Sequence, residues 1–263
     1  MAKIKAGWIG FLRDRSDYWE MAEKTAEIGY QATESELDLL NGDIKENAKR
    51  LKDIGLRLLT IRAAKAQDLT EDVKGKIERA HIFGCDRVTA FFSTMTSSFN
   101  LDRDGTYDEM MRDIECINNA VEIYSKEGLT VCYHNHFQEF TVLHKNAPCF
   151  EHMLIQCDER LCFDLDVGWV TVAGLNPVTV LDRLAPRTAA IHLKDFHDIS
   201  NPSSLTGFTA LGTGIVDIQG VLKKADELKI QWAIVEQDKL RNLGLTETLT
   251  ASYYQIKESG LVE

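Results

Sequence analysis

Two apolar rhythms alternate along this chain, a helical one and a short strand-like one, and the change from the first to the second falls at a glycine. It does so at Glu27-Ile28-Gly29-Tyr30, Asp53-Ile54-Gly55-Leu56, Ile82-Phe83-Gly84-Cys85 and Lys126-Glu127-Gly128-Leu129. A glycine just past a helix takes the left-handed conformation that satisfies the last carbonyls, and the chain then turns directly into a strand. The pattern predicts strands near Ile4–Phe11, Gln31–Glu36, Arg57–Arg62, Arg87–Phe92, Thr130–His136, Arg160–Asp166, Thr188–Lys194 and Gln231–Glu236. Helices are expected near Ser16–Ile28, Asp43–Ile54, Thr70–Phe83, Thr106–Glu127, Ala147–Gln156, Pro177–Leu184, Asp217–Leu228 and Thr246–Ser259. Thr106 and Glu109 have the spacing of a capping box, and Asn176-Pro177 places an N-cap before a first-turn proline. Strands alternating with helices imply right-handed βαβ units and a parallel sheet. Eight units in 263 residues, with no Pro- or Gly-rich linker, are the size of one (β/α)8 TIM barrel, an α/β domain spanning 1–263. A doubly wound sheet is the other reading, but Gly7-Trp8-Ile9-Gly10 lacks the glycine fingerprint its first turn needs.

Composition narrows the function classes. Thirty basic against forty-one acidic side chains leave a net charge of −11, which repels phosphate backbones and anionic lipid, so neither nucleic acid nor membrane is an expected partner. No apolar run has the length of a signal peptide or a membrane span, and a cytoplasmic location is expected. The six cysteines form no C-x-x-C pair and fall in apolar segments, as buried thiols do.

The candidate chemistry collects at strand ends. On strand five, Thr130 to Tyr133 run into His134 and His136 on one face with Asn135 on the other, and Glu139 follows. Strand six carries Asp164 and Asp166 at alternate positions, strand seven His192 and Lys194, and strand eight Glu236 and Asp238. Singly, each has an ordinary structural explanation, such as a helix cap or an ion pair between Glu236 and Lys194. Together, on parallel strands about 4.8 Å apart, they converge within reach of one ion. Imidazoles with carboxylates suit Mn²⁺, Co²⁺ or Zn²⁺ better than Mg²⁺ or Ca²⁺.

The segments Tyr133-His134-Asn135-His136-Phe137-Gln138-Glu139-Phe140, Phe163-Asp164-Leu165-Asp166-Val167-Gly168-Trp169, Ile191-His192-Leu193-Lys194-Asp195, Leu211-Gly212-Thr213-Gly214 and Val235-Glu236-Gln237-Asp238 resemble the sugar phosphate isomerase/epimerase family of xylose-isomerase-like barrels. That superfamily includes ketose 3-epimerases, inosose dehydratases and apurinic endonucleases. The resemblance implies one divalent metal ion at the barrel mouth, with Asp166, His192 and Glu236 at the positions of the family's Asp, His and Glu ligands. His134 stands where ketose 3-epimerases carry a Glu, so it is expected as the fourth ligand, with Glu139 the substitute if His134 points elsewhere.

The leading expectation is therefore a metal-dependent isomerase or epimerase of a small sugar, ketose or cyclitol, working through an enediolate. Glu236 or Glu139 is the expected base, His136 moves a proton on oxygen, and Lys194 offsets negative charge. Trp169 offers an aromatic face to a sugar ring and Asp164 is a further substrate contact, with a core role the competing reading for Trp169. A lyase of the inosose dehydratase type shares the site, a sugar-binding barrel without turnover is the non-enzyme alternative, and self-association is left open. An endonuclease is disfavoured by charge and by the absence of histidines on strands three and four. Gly212-Thr213-Gly214 reads as a loop turn in preference to a phosphate cradle, and Glu34 and Glu36 read equally as solvated charges or as contacts to substrate hydroxyls.

Overall fold

Eight parallel strands close into a (β/α)8 barrel, because the third strand changes partners midway. The structure, a computed structural model, describes residues 3–9, 18–94, 104–201 and 207–263. Gly10, Phe11 and Ser16, expected at the end of strand one and the start of the first helix, lie outside them. Strand one (Lys5–Trp8) pairs with strand two (Ala32–Thr33) and with strand eight (Trp232–Val235). From strand eight the ladder runs through strand seven (Thr188–Leu193), strand six (Cys162–Asp166), strand five (Thr130–His134) and strand four (Arg87–Ala90). Strand three closes the circle in two pieces: Arg57–Leu58 pairs with strand two and Ile61–Ala63 with strand four. At the break, Thr60 turns its hydroxyl inward to Thr89 Oγ1, 2.7 Å away.

The expected punctuation is present. Gly29, Gly55, Gly84 and Gly128 all have positive φ, and Gly84 caps the helix Val73–Phe83 in the left-handed conformation. The helix Tyr107–Tyr124 opens with both bonds of the capping box, and Asn176 accepts from Thr179 N at the head of Pro177–Leu184. Three boundaries differ. Glu36 opens a short helix, Glu36–Leu39, instead of ending strand two. Thr70 closes a 3₁₀ turn, and left-handed Asp72 delays the next helix to Val73. Ala147–Pro148 pairs with Leu143–His144 in a small hairpin turned by Lys145 and Asn146, both at positive φ, so that helix begins at Cys149.

Two apolar layers hold the barrel. The larger lies between the strands and the outer helices; the smaller fills the barrel with Ile9, Ala32, Leu59, Phe91, Ala190, Trp232 and Ile234. The period of two on strand eight stacks Trp232, Ile234 and Glu236 along the interior, from the apolar floor to the polar mouth. Gly7 makes room for this filling, since a Cβ there would lie 2.6 Å from Ile234 Cδ1. Among the described residues, no helix is long and apolar enough to cross a membrane.

Candidate metal centre and active site

Strand ends bring three of the expected ligands together. His134, His192 and Glu236 are buried, and a donor atom from each lies within 4.8 Å of the other two. His192 Nδ1 is 2.9 Å from Glu236 Oε2, and the rings of His134 and His192 are 4.4 Å apart. His134 Nδ1 is buried without a hydrogen-bond partner among the described residues, the state of a donor atom kept for a ligand. Two imidazoles and a carboxylate in a buried cluster fit a divalent transition ion.

Asp166 stands beside this cluster. Its Oδ1 caps the following helix by accepting from Trp169 N at 2.8 Å, and its Oδ2 lies 3.2 Å from Lys194 Nζ and 3.8 Å from His134 Nε2. Asn135, on the opposite face of strand five, fixes the backbone here by bonding both the N–H and the carbonyl of Asp166. Lys194 Nζ is fully buried among three carboxylates, 3.2 Å from Asp166, 3.2 Å from Glu236 and 2.9 Å from Asp238.

These neighbours set the charges. Burial alone would neutralise His192, but Glu34 and Glu236 flank its two nitrogens and hold its pKa well above the ordinary value. Burial and the charge of His192 push His134 well below the usual imidazole range, and burial with Lys194 takes His136 down to about 3. Burial opposes ionisation of Glu236, yet Lys194 and His192 outweigh it and keep the carboxyl well below its ordinary pKa. Lys194 stays an ammonium ion despite burial because of its three carboxylates.

A cavity of about 170 Å³ opens over the cluster. It is lined by His134, His136 and Glu236 from the expected set. Its remaining wall is Asp238 beyond strand eight, Ser35 to Asp38 beyond strand two, and Ile9, Glu34, Arg62, Phe91 and Phe92 from strands one to four. Sequence reasoning passed over Arg62, Phe91 and Phe92; their only signal was position at strand ends. The His136 ring stacks on Phe92 with centroids 4.9 Å apart.

Three expected contacts sit elsewhere, and the glycine loop is the turn the sequence suggests. Asp164 lies below the cavity, where Oδ1 is 3.3 Å from Arg87 Nη1 and Oδ2 accepts from Thr89 Oγ1 at 2.7 Å. It faces inward as expected, but it sits two residues below Asp166 and does not line the cavity. Glu139 is buried under the exit of strand five, accepting from Tyr133 Oη at 2.5 Å and from His136 N at 2.8 Å. Burial raises its pKa to about 7, and it buttresses the loop that carries His136. Trp169 is packed between His136, Phe137, Phe196 and Phe208, under the Lys194 ammonium, and does not line the cavity. The amides of Gly212, Gly214 and Val216 all donate to Asp195, so the glycine loop is a turn organised on that carboxylate.

Residues 22–249 match the xylose isomerase-like TIM barrel family, and the chain belongs to it. An inosose dehydratase from Geobacillus kaustophilus is 26% identical over 251 residues, covering 84% of this chain and 80% of that enzyme. One from Clostridium beijerinckii is 26% identical over 137 residues, 47% of this chain and only 45% of that enzyme's length. Among solved structures, the IolI protein with a bound zinc atom superposes with a TM-score of 0.76 at 13% identity, covering 97% of this chain and 98% of that one.

Proposed function

We propose that this protein is a metal-dependent enzyme that removes a carbon-bound proton next to a carbonyl in a small keto sugar or cyclitol and then eliminates water. The carrying observation is that Glu236 belongs both to the buried His134, His192 and Glu236 cluster and to the cavity wall. The family, the two inosose dehydratase relatives and the zinc-holding fold neighbour support the reading. His134, His192 and Glu236 would hold the ion, with Asp166 a fourth candidate, and the bound ion supplies Lewis acidity toward a carbonyl and its neighbouring hydroxyl.

The remaining work falls to the side chains. Glu236, held ionised by Lys194 and His192, takes the carbon-bound proton, and the C–H electron pair becomes the new C=C bond. The neighbouring C–O bond breaks with its electrons on oxygen, and the proton on Glu236 leaves with that oxygen as water. One carboxylate thus closes the proton balance. His136, a neutral imidazole on the cavity wall, donates a hydrogen bond to a substrate oxygen, and Lys194 offsets negative charge from behind Glu236 and Asp166.

Isomerisation or epimerisation, the leading expectation from sequence, shares the first step but must return the proton to carbon. For an epimerase the return comes from the opposite face, where His134 replaces a carboxylate with an imidazole that burial keeps neutral. That difference favours dehydration. Incubating metal-loaded protein with ketoses, aldoses and inososes in D₂O, followed by NMR, separates the outcomes. Signals of an unsaturated product support dehydration, whereas deuterium on carbon with every hydroxyl retained establishes isomerisation or epimerisation. No change in any substrate would sink the enzymatic reading.

A further inference from the structure

Glu34, at the end of strand two, is a carboxylate out of balance with its surroundings. Its side chain is fully buried, it lines the cavity, and its Oε1 has no hydrogen-bond partner among the described residues. Its one close ionic contact among the described residues is made by Oε2, which lies 3.1 Å from His192 Nε2. A buried carboxylate accepts at several positions and is costly to leave without donors. Three other acids on this wall are already committed. Glu36 accepts from Arg62 N and Arg79 Nε, Asp238 pairs with Lys194, and Glu236 pairs with Lys194 and His192.

We propose that Glu34 is a specificity residue that accepts hydrogen bonds from hydroxyl groups of an uncharged polyol in the cavity. The inference rests on the functional reading above and names what that reading leaves open, the side chain that counts hydroxyls. The ligand must bring donors, which excludes a phosphate or carboxylate at this position because either would face Glu34 with like charge. It must also be small, since about 170 Å³ is well under the several hundred Å³ of a drug-sized pocket. A site built around a buried acceptor rejects analogues that lack the matching hydroxyl, because the acceptor is then left unmade.

The test uses the full-length, metal-loaded protein and calorimetric titration with myo-inositol, scyllo-inosose and D-fructose, each against analogues lacking one hydroxyl. The wild type should bind at least one polyol and lose affinity for one of its deoxy analogues. Glu34→Gln keeps shape but replaces an acceptor oxygen with a donor and removes the charge, so it should bind that polyol about ten- to a hundredfold more weakly. With both proteins compared at saturating metal, its discrimination against the deoxy analogue should shrink to a few-fold. Equal polyol affinity and discrimination in the variant would overturn the inference and leave the functional reading intact. Weakened metal binding with polyol discrimination retained at saturating metal would also overturn it, by making Glu34 a ligand or a support of His192. If the wild type bound none of the polyols, the functional reading itself would fall and take the inference with it. Should Glu34→Gln fail to melt cooperatively, Glu34→Asp, whose carboxylate is drawn back by one methylene, is held to the same expectation.

Discussion

Removing the carboxylate of Asp164 should cost stability and leave the metal site intact. Asp164 is fully buried, and its partner Arg87 is nearly so. Asp164→Ala leaves that guanidinium beneath the cavity with Asp86, an exposed neighbour at 3.3 Å, as its one ion-pair partner among the described residues. It also removes the acceptor for Thr89, whose hydroxyl proton is committed to Asp164, so that Thr60 donates to Thr89 in turn. Breaking a buried ion pair by deleting one partner costs ~3–5 kcal/mol. For a chain of this size, at roughly 2 °C per kcal/mol, the thermal midpoint should fall by about 6–10 °C. Differential scanning calorimetry measures this directly, and metal titration of the same variant should give wild-type stoichiometry. The double variant Arg87→Met/Asp164→Asn removes both charges and keeps an acceptor for Thr89. It should lose less than the sum of its single changes, by ~0.5–3 kcal/mol. An unchanged midpoint together with weakened polyol binding would refute the reasoning and return Asp164 to the substrate.

Glu236→Gln should remain folded and retain some metal, yet lose exchange of substrate carbon-bound hydrogen by about a hundredfold or more, measured by NMR in D₂O; wild-type exchange would move the base elsewhere. His192→Ala and Asp166→Ala, titrated with Zn²⁺ or Co²⁺, should both bind metal more weakly, with the larger loss in His192→Ala because Asp166 stands outside the three-residue cluster; full occupancy in both would refute the assignment. Glu139 predicts a pH effect on stability. Its folded pKa of about 7 is raised above the ordinary value of 4.5, so its contribution is complete below about pH 4.5 and is lost as pH rises through 7, on the order of 3 kcal/mol in all. Glu139→Gln cannot ionise, and its urea midpoints should fall less between pH 4.5 and 8 than those of the wild type; parallel profiles would contradict the raised pKa.

Periodicity and turn chemistry are local properties, and they carried the barrel. Glycines placed for positive φ, the Thr106 capping box and the Asn176-Pro177 start each act through residues a few positions away, so the sequence shows them directly. The side of each strand was legible for the same reason, since a period of two points His134, Asp166, His192 and Glu236 inward whatever surrounds them. Depth inside the barrel was not legible, because height depends on the stagger between strands that close a circle. That stagger sinks Asp164 onto Arg87, while Asp166, two residues on, reaches the level of Lys194. Nor could sequence spacing show that Glu139 folds back under its own strand, or that Glu34 reaches His192 from 158 positions away. Residue identity and local period determined which groups face the axis. Closure of the barrel decided which of them share one cavity, because only there do strands distant in sequence become neighbours.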